Sequence, residues 1–61
     1  MRKFKLEITL DNDAFYPDAN PEIVEVLKKA IEKLEQGRTA SPLFDTNGNR
    51  VGGFEILGKK L

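Results

Sequence analysis

The run Asp45-Thr46-Asn47-Gly48-Asn49-Arg50-Val51-Gly52-Gly53 constrains this chain more than any other stretch. Asn-Gly is the preferred pair for a two-residue type I′ turn, because both central positions need φ > 0. With Asn47 and Gly48 as the loop, Thr46 faces Asn49 and Phe44 faces Val51. Side chains alternate faces along a strand, so Val51 then points away from the side that Phe54 and Ile56 occupy. A β-bulge at Gly52-Gly53 returns all three to one face, and that is the expected geometry. Without it the sheet is apolar on both faces and needs a partner to cover the second. The run is not a calcium loop: Asp45, Asn47 and Asn49 have the right spacing, but Arg50 stands where Gly is required and Ile56 where Glu is required.

Upstream, Phe4, Leu6, Ile8 and Leu10 alternate with Lys3, Lys5, Glu7 and Thr9, the period of a half-buried strand. Asp11-Asn12-Asp13 ends that strand with turn formers, and Ala14 to Ala19 form a loop holding the adjacent aromatics Phe15 and Tyr16. Asn20-Pro21-Glu22 predicts a helix start, with Asn20 as N-cap, Pro21 in the first turn and Glu22 at the positive end of the macrodipole. Ile23, Val24, Leu27, Ala30, Ile31 and Leu34 make an apolar stripe at helical spacing, with Val26 at its margin. Glu25, Lys28, Lys29, Glu32, Lys33 and Glu35 take the outer face, and Glu25 with Lys29 forms a favourable i,i+4 pair. Gly37 is the expected C′ residue, Arg38 to Pro42 connect to the hairpin, and Gly58 to Leu61 form a short tail.

Strand, helix, strand, strand in one domain spanning residues 1–61 predicts an α+β fold of βαββ order. The helix lies on one face of a three-stranded antiparallel sheet, and the closing strand sits between the other two in order 1-3-2. Order 3-1-2 is the alternative, but it pairs the first two strands directly and in parallel. In the 1-3-2 arrangement Arg2, Lys3, Lys5, Arg38, Lys59 and Lys60 gather at one end of the molecule. Asp11, Asp13, Asp18, Glu22 and Asp45 gather at the other. A formal net charge of zero, from ten basic and ten acidic residues, therefore conceals two poles. Each pole either complements a nearby helix terminus or steers an oppositely charged partner.

The composition argues against several chemistries. The chain has no Cys and no His, which removes thiolate chemistry, the commonest general base and the commonest transition-metal ligand. Asp11, Asp13 and Asp18 offer at most unspecific divalent binding. Gly52-Gly53 lacks the spacing of a phosphate loop. No catalytic residue, cofactor or metal is expected, and the chain reads as a non-enzyme. Balanced charge argues against a nucleic-acid partner. No apolar run reaches the length of a membrane span, and Met1-Arg2-Lys3 leads into an alternating strand, so a cytoplasmic location without membrane attachment is expected.

Taken in order, Phe4 to Leu10, Asp11-Asn12-Asp13-Ala14-Phe15, the helix from Pro21 to Gly37, and Leu43 to Gly52 resemble a group of small bacteriophage and prophage accessory proteins. Their pattern runs strand, Asp-Asn-x-Ala-Phe, amphipathic helix, Asp-x-Asn-Gly-Asn-x-Val-Gly, closing strand. Tyr16-Pro17 is an addition here, and Gly53 doubles the glycine. The resemblance implies a protein that acts stoichiometrically on host machinery, an inhibitor of a bacterial antiviral defence being the sharpest version.

Two functional expectations follow. In the first, the chain binds a host protein, with Phe15, Tyr16, the exposed sheet face and the edge strands as contacts, and it also pairs as a homodimer. In the second, it sequesters a phosphate-bearing signalling nucleotide, with Arg2, Lys3, Lys5 and Arg38 holding the phosphates.

Overall fold

A computed structural model of the chain describes residues 2–58; the tail residues Lys59 and Lys60, assigned above to the basic pole, lie outside the described residues. Along the chain come β1 (Lys3–Ile8), a short 3₁₀ turn (Asp13–Phe15), α1 (Asn20–Glu35), β2 (Ala40–Phe44) and β3 (Arg50–Leu57). The sheet has the expected order, β1-β3-β2, with both neighbouring pairs antiparallel.

Register settles which side chains share a face. Leu6 lies opposite Phe54 and Ile8 opposite Gly52 on one side of β3, while Ser41 lies opposite Phe54 and Leu43 opposite Gly52 on the other. These residues form the inner face, and Phe54, Leu43 and Val51 join Phe15, Val26 and Ala30 in the buried core. The opposite face carries Lys5 and Glu7 on β1, opposite Glu55 and Gly53.

The hairpin departs from the two-residue expectation. Asp45 N–H donates to Asn49 O at 2.9 Å and Gly48 N–H donates to Asp45 O at 3.1 Å, so Thr46, Asn47 and Gly48 form a three-residue loop. Gly48 alone carries the positive φ, +83°, and Asn47 does not. That is the turn-plus-left-handed-residue form of hairpin, which needs one positive φ instead of two. The bulge also moves. Phe44 pairs with Arg50 and Leu43 with Gly52, which leaves Val51 as the extra residue, while Gly52 and Gly53 stay in register. The expected effect survives, because Val51 and Phe54 are both buried. The glycines serve close strand approach: a Cβ on Gly52 would overlap the Glu7 carbonyl, and one on Gly53 would lie 2.9 Å from Ser41 O.

Other local expectations shift by a residue or two. β1 ends at Ile8, so Leu10 leaves the strand and is exposed. Pro42 falls inside β2, which tolerates it because β2 is an edge strand. Asn20 is the first helical residue instead of the cap; Ala19 precedes it, and the Asp18 carboxylate accepts the Asn20 N–H at 3.1 Å. Glu25 pairs with Lys28 at 3.3 Å and not with Lys29. The helix end is as expected: Gly37 has φ +85°, its N–H donates to Leu34 O at 3.0 Å, and Arg38 N–H donates to Lys33 O at 3.1 Å. This paired closure is the Schellman motif.

Candidate protein-docking surface

The loop between β1 and α1 divides its two aromatics. Phe15 N–H donates to Asn12 O and Tyr16 N–H donates to Asp13 O, each at 3.0 Å, closing the 3₁₀ turn. That turn drives Phe15 into the core, where it is 2 % exposed. Phe15 therefore cannot serve as a partner contact; it plugs the core beneath the loop, as large apolar side chains do. Tyr16, next in the chain, is 64 % exposed. A second tether holds the loop, since the Asn12 side-chain amide donates to the Asp45 carboxylate at 3.1 Å. Tyr16 is thus an exposed aromatic on a loop anchored at both the core and the hairpin.

Helix roll is the largest departure from expectation. Val26, expected at the margin, is 0 % exposed, and Glu22 and Ala30 are buried beside it. At about 100° per residue, Glu22, Ile23, Ala30 and Lys33 lie within about 60° of Val26. Leu34, Leu27, Ile31 and Val24 follow on one side, at about 80 to 160°. All four are exposed, Ile31 by 54 %. The apolar arc is wider than the sheet can cover, because α1 packs mainly on β2 and the 3₁₀ turn. The sheet takes one half of the arc and leaves the other in water. Phe4, opposite Ile56 on the sheet, is also half exposed, with its ring 5.8 Å from that of Phe54.

Two carboxylates of the expected acidic pole are consumed internally. Glu22 accepts the Thr46 N–H at 2.8 Å and the Thr46 hydroxyl at 2.9 Å, joining the helix N-terminus to the hairpin loop. Asp45 is buried, and one of its oxygens accepts the N–H groups of Asn47 and Asn49 at 3.0 and 2.9 Å. Burial alone pushes the Asp45 carboxyl up, but the donors from Asn49, Asn12 and Asn47 outweigh it and hold the group below its ordinary 3.8. Among the described residues no three His, Cys, Asp or Glu side chains converge as a metal site requires.

The cations expected to grip phosphate divide as well. Arg38 lines a groove of about 400 Å³ between α1 and β2, with Lys29, Glu32, Lys33 and Phe44. Lys5 lies on the outer sheet face beside Glu7, Arg50 and Glu55, in a separate shallow trough. Its ammonium sits 3.0 Å from Glu7. The hydrogen bond and charge of Glu7 raise the Lys5 pKa above its ordinary 10.5, with a smaller push from Glu55. Arg2 and Lys3 are exposed and line neither concavity. Sequence reasoning missed Lys29, Lys33 and Phe44 as neighbours of Arg38, since strand pairing and helix roll together create the groove.

No helix among the described residues is long and apolar enough to cross a membrane. Comparison of the chain with family models, curated proteins and solved structures finds no match.

Proposed function

We propose that this protein acts stoichiometrically, without catalysis, by binding a bacterial host protein, in the manner of a small phage accessory protein. An inhibitor of an antiviral defence system, working in the host cytoplasm, is the specific form of the proposal. The observation that carries it is Tyr16: a large aromatic held 64 % exposed on a loop pinned by Phe15 and by the Asn12–Asp45 bond. Aromatics of this kind supply contact area at small entropic cost and are enriched at interface hot spots. The test is co-purification of the tagged chain with a host polypeptide, followed by reconstitution of a complex of fixed stoichiometry. Tyr16→Ala should weaken that complex about 30-fold, the loss of a hot spot of about 2 kcal/mol. Unchanged affinity would remove Tyr16 from the interface, and failure to form any protein complex would remove the proposal.

A second reading has its own support. Lys29, Lys33 and Arg38, with the Glu32 carboxylate among them, line a net-basic groove walled by Phe44, which could take a phosphate-bearing nucleotide. Of the cations first expected at such a site, only Arg38 belongs to it. A nucleotide-dependent rise in melting temperature, abolished by Arg38→Ala, separates this reading from the first.

A further inference from the structure

The two edges of the sheet are unequal. Thr9 N–H donates to Val51 O at 2.7 Å, and the two lie opposite one another when the β1–β3 register runs one step further. Alternate residues of an antiparallel strand turn both backbone groups to the same side. Lys3, Lys5, Glu7 and Thr9 therefore bond β3, while Phe4, Leu6 and Ile8 present their N–H and C=O groups at the free edge. Among the described residues, no backbone group of loop or helix takes them up. On β2, Ile56 N–H donates to Thr39 O at 2.9 Å, so Ser41 and Leu43 bond β3 and Pro42 faces outward. Pro42 has no N–H to offer, which blunts that edge. α1 packs mainly on β2, the strand farthest from the β1 edge. We propose that two copies of the chain join antiparallel along β1, about a two-fold axis through Leu6, into one continuous sheet.

The side chains of β1 point to a second copy and fix the register. Outward-bonding residues must face outward-bonding residues, so the axis passes Lys5, Leu6 or Glu7. An axis at Lys5 sets Lys5 against itself, and an axis at Glu7 sets Glu7 against itself. Like charges directly opposite one another destabilise a sheet. At Leu6, Lys5 lies opposite Glu7 of the second copy, twice by symmetry, in the close non-hydrogen-bonded pairing. Lys5 and Glu7 already lie 3.0 Å apart within one strand, and across the axis they close a ring of alternating charge on the outer face. On the inner face Phe4, half exposed, comes beside Ile8 of the second copy. Phe4, Leu6 and Ile8 then exchange all their edge bonds with Ile8, Leu6 and Phe4 across the axis. At this one register the strand complements itself in charge, apolar contact and backbone bonding. With Pro42 at each outer edge, the assembly closes at two copies.

The inference does not rest on the Tyr16 proposal. Sedimentation of the full chain from micromolar to millimolar concentration should show the mass of a dimer replacing that of a monomer. Chemical synthesis allows one backbone atom to be changed. N-methylation of Leu6 removes a donor that the monomer leaves unused, so far-ultraviolet circular dichroism should not change. Association should weaken about 30-fold or more, the worth of the two hydrogen bonds lost at the axis. N-methylation of Ile8 is the second variant should the first fail to fold. Because the chain has no Cys, register can be read by cross-linking. A mixture of Lys5→Cys chains with Glu7→Cys chains should oxidise to a mixed dimer, since directly opposed Cα atoms of such a pair, about 4.5 Å apart, are within disulfide reach. Neither variant alone should cross-link, because its two copies stand two residues out of register. A monomer at millimolar concentration, a dimer that survives both N-methylated chains, or efficient cross-linking of either cysteine variant alone would each overturn the proposal.

Discussion

Truncating Val26 should destabilise the isolated fold more than truncating its larger neighbour Leu27, the reverse of what the apolar stripe in the sequence suggests. Val26 is 0 % exposed and sits among Phe15, Ala30, Leu43 and Phe54 in the core. Val26→Ala deletes two buried carbons, about 1.6 kcal/mol in transfer energy. An unfilled void adds roughly 1 kcal/mol, and the better helix propensity of Ala returns about 0.5 kcal/mol, leaving a loss of about 2 kcal/mol. Leu27 is 38 % exposed, with one side open to water. Leu27→Ala leaves no closed cavity there, so the loss in the monomer should be about 1 kcal/mol or less. By the usual per-residue scale a domain of this length holds roughly 3–9 kcal/mol, so both changes are measurable. Urea unfolding gives the two values, with an unchanged m-value confirming a common unfolded state. If Leu27→Ala proves costlier than Val26→Ala, the helix roll that buries Val26 is wrong.

Other perturbations test other joints. Gly52→Ala places a Cβ against the Glu7 carbonyl, 2.8 Å from its carbon and 3.1 Å from Ile8 Cα. Since every obstacle is backbone, β1 must separate from β3; the loss should exceed about 3 kcal/mol, and circular dichroism should report a largely unfolded chain. Glu22→Ala removes both bonds to Thr46, an exposed residue that water can then reach, and should cost about 1–2 kcal/mol in thermal or urea unfolding. Asp45 has a native pKa below its unfolded value, so its contribution is fully present above about pH 3.9 and is lost as pH falls through the lowered native value. Asp45→Asn should therefore be less stable at neutral pH and show a flatter stability profile below pH 4; an unaltered acid limb would show that Asp45 is not the sensor.

Much of the architecture was legible because it rests on local signals. Alternation in Phe4 to Ile8, Gly37 at the helix end, and Asn47-Gly48 between apolar runs give the elements, and short unknotted connections give order 1-3-2. The turn type is not legible because Asn-Gly serves two hairpin forms, and the choice depends on Asp45, whose buried carboxylate accepts from Asn47 and Asn49. The aromatic pair in the loop could not be apportioned either, since the two residues are alike in chemistry. Only the 3₁₀ turn, which no pattern announced, sends Phe15 inward and Tyr16 out. The cationic sites misfired for a related reason: the end-to-end grouping followed from strand direction, but convergence on one groove depends on lateral position, which places Arg38 with α1 and β2 and leaves Lys5 on the outer face.

Helix roll is the least legible feature, because a polar contact sets it. Apolar residues of α1 spread over about 160° of arc, so hydrophobicity alone accepts a range of rolls. A single polar contact chooses among them: the Glu22 carboxylate must reach Thr46, 24 positions away, and that brings Val26 and Ala30 onto the sheet. Two bonds to a charged acceptor supply about 3–6 kcal/mol at most. About 300 Å² of uncovered apolar surface represents roughly 7 kcal/mol at 25 cal/mol per Å². The competing roll would recover only part of that, because it would uncover Val26, Ala30 and Ile23 in exchange. No roll of one helix on one narrow sheet covers both stripes.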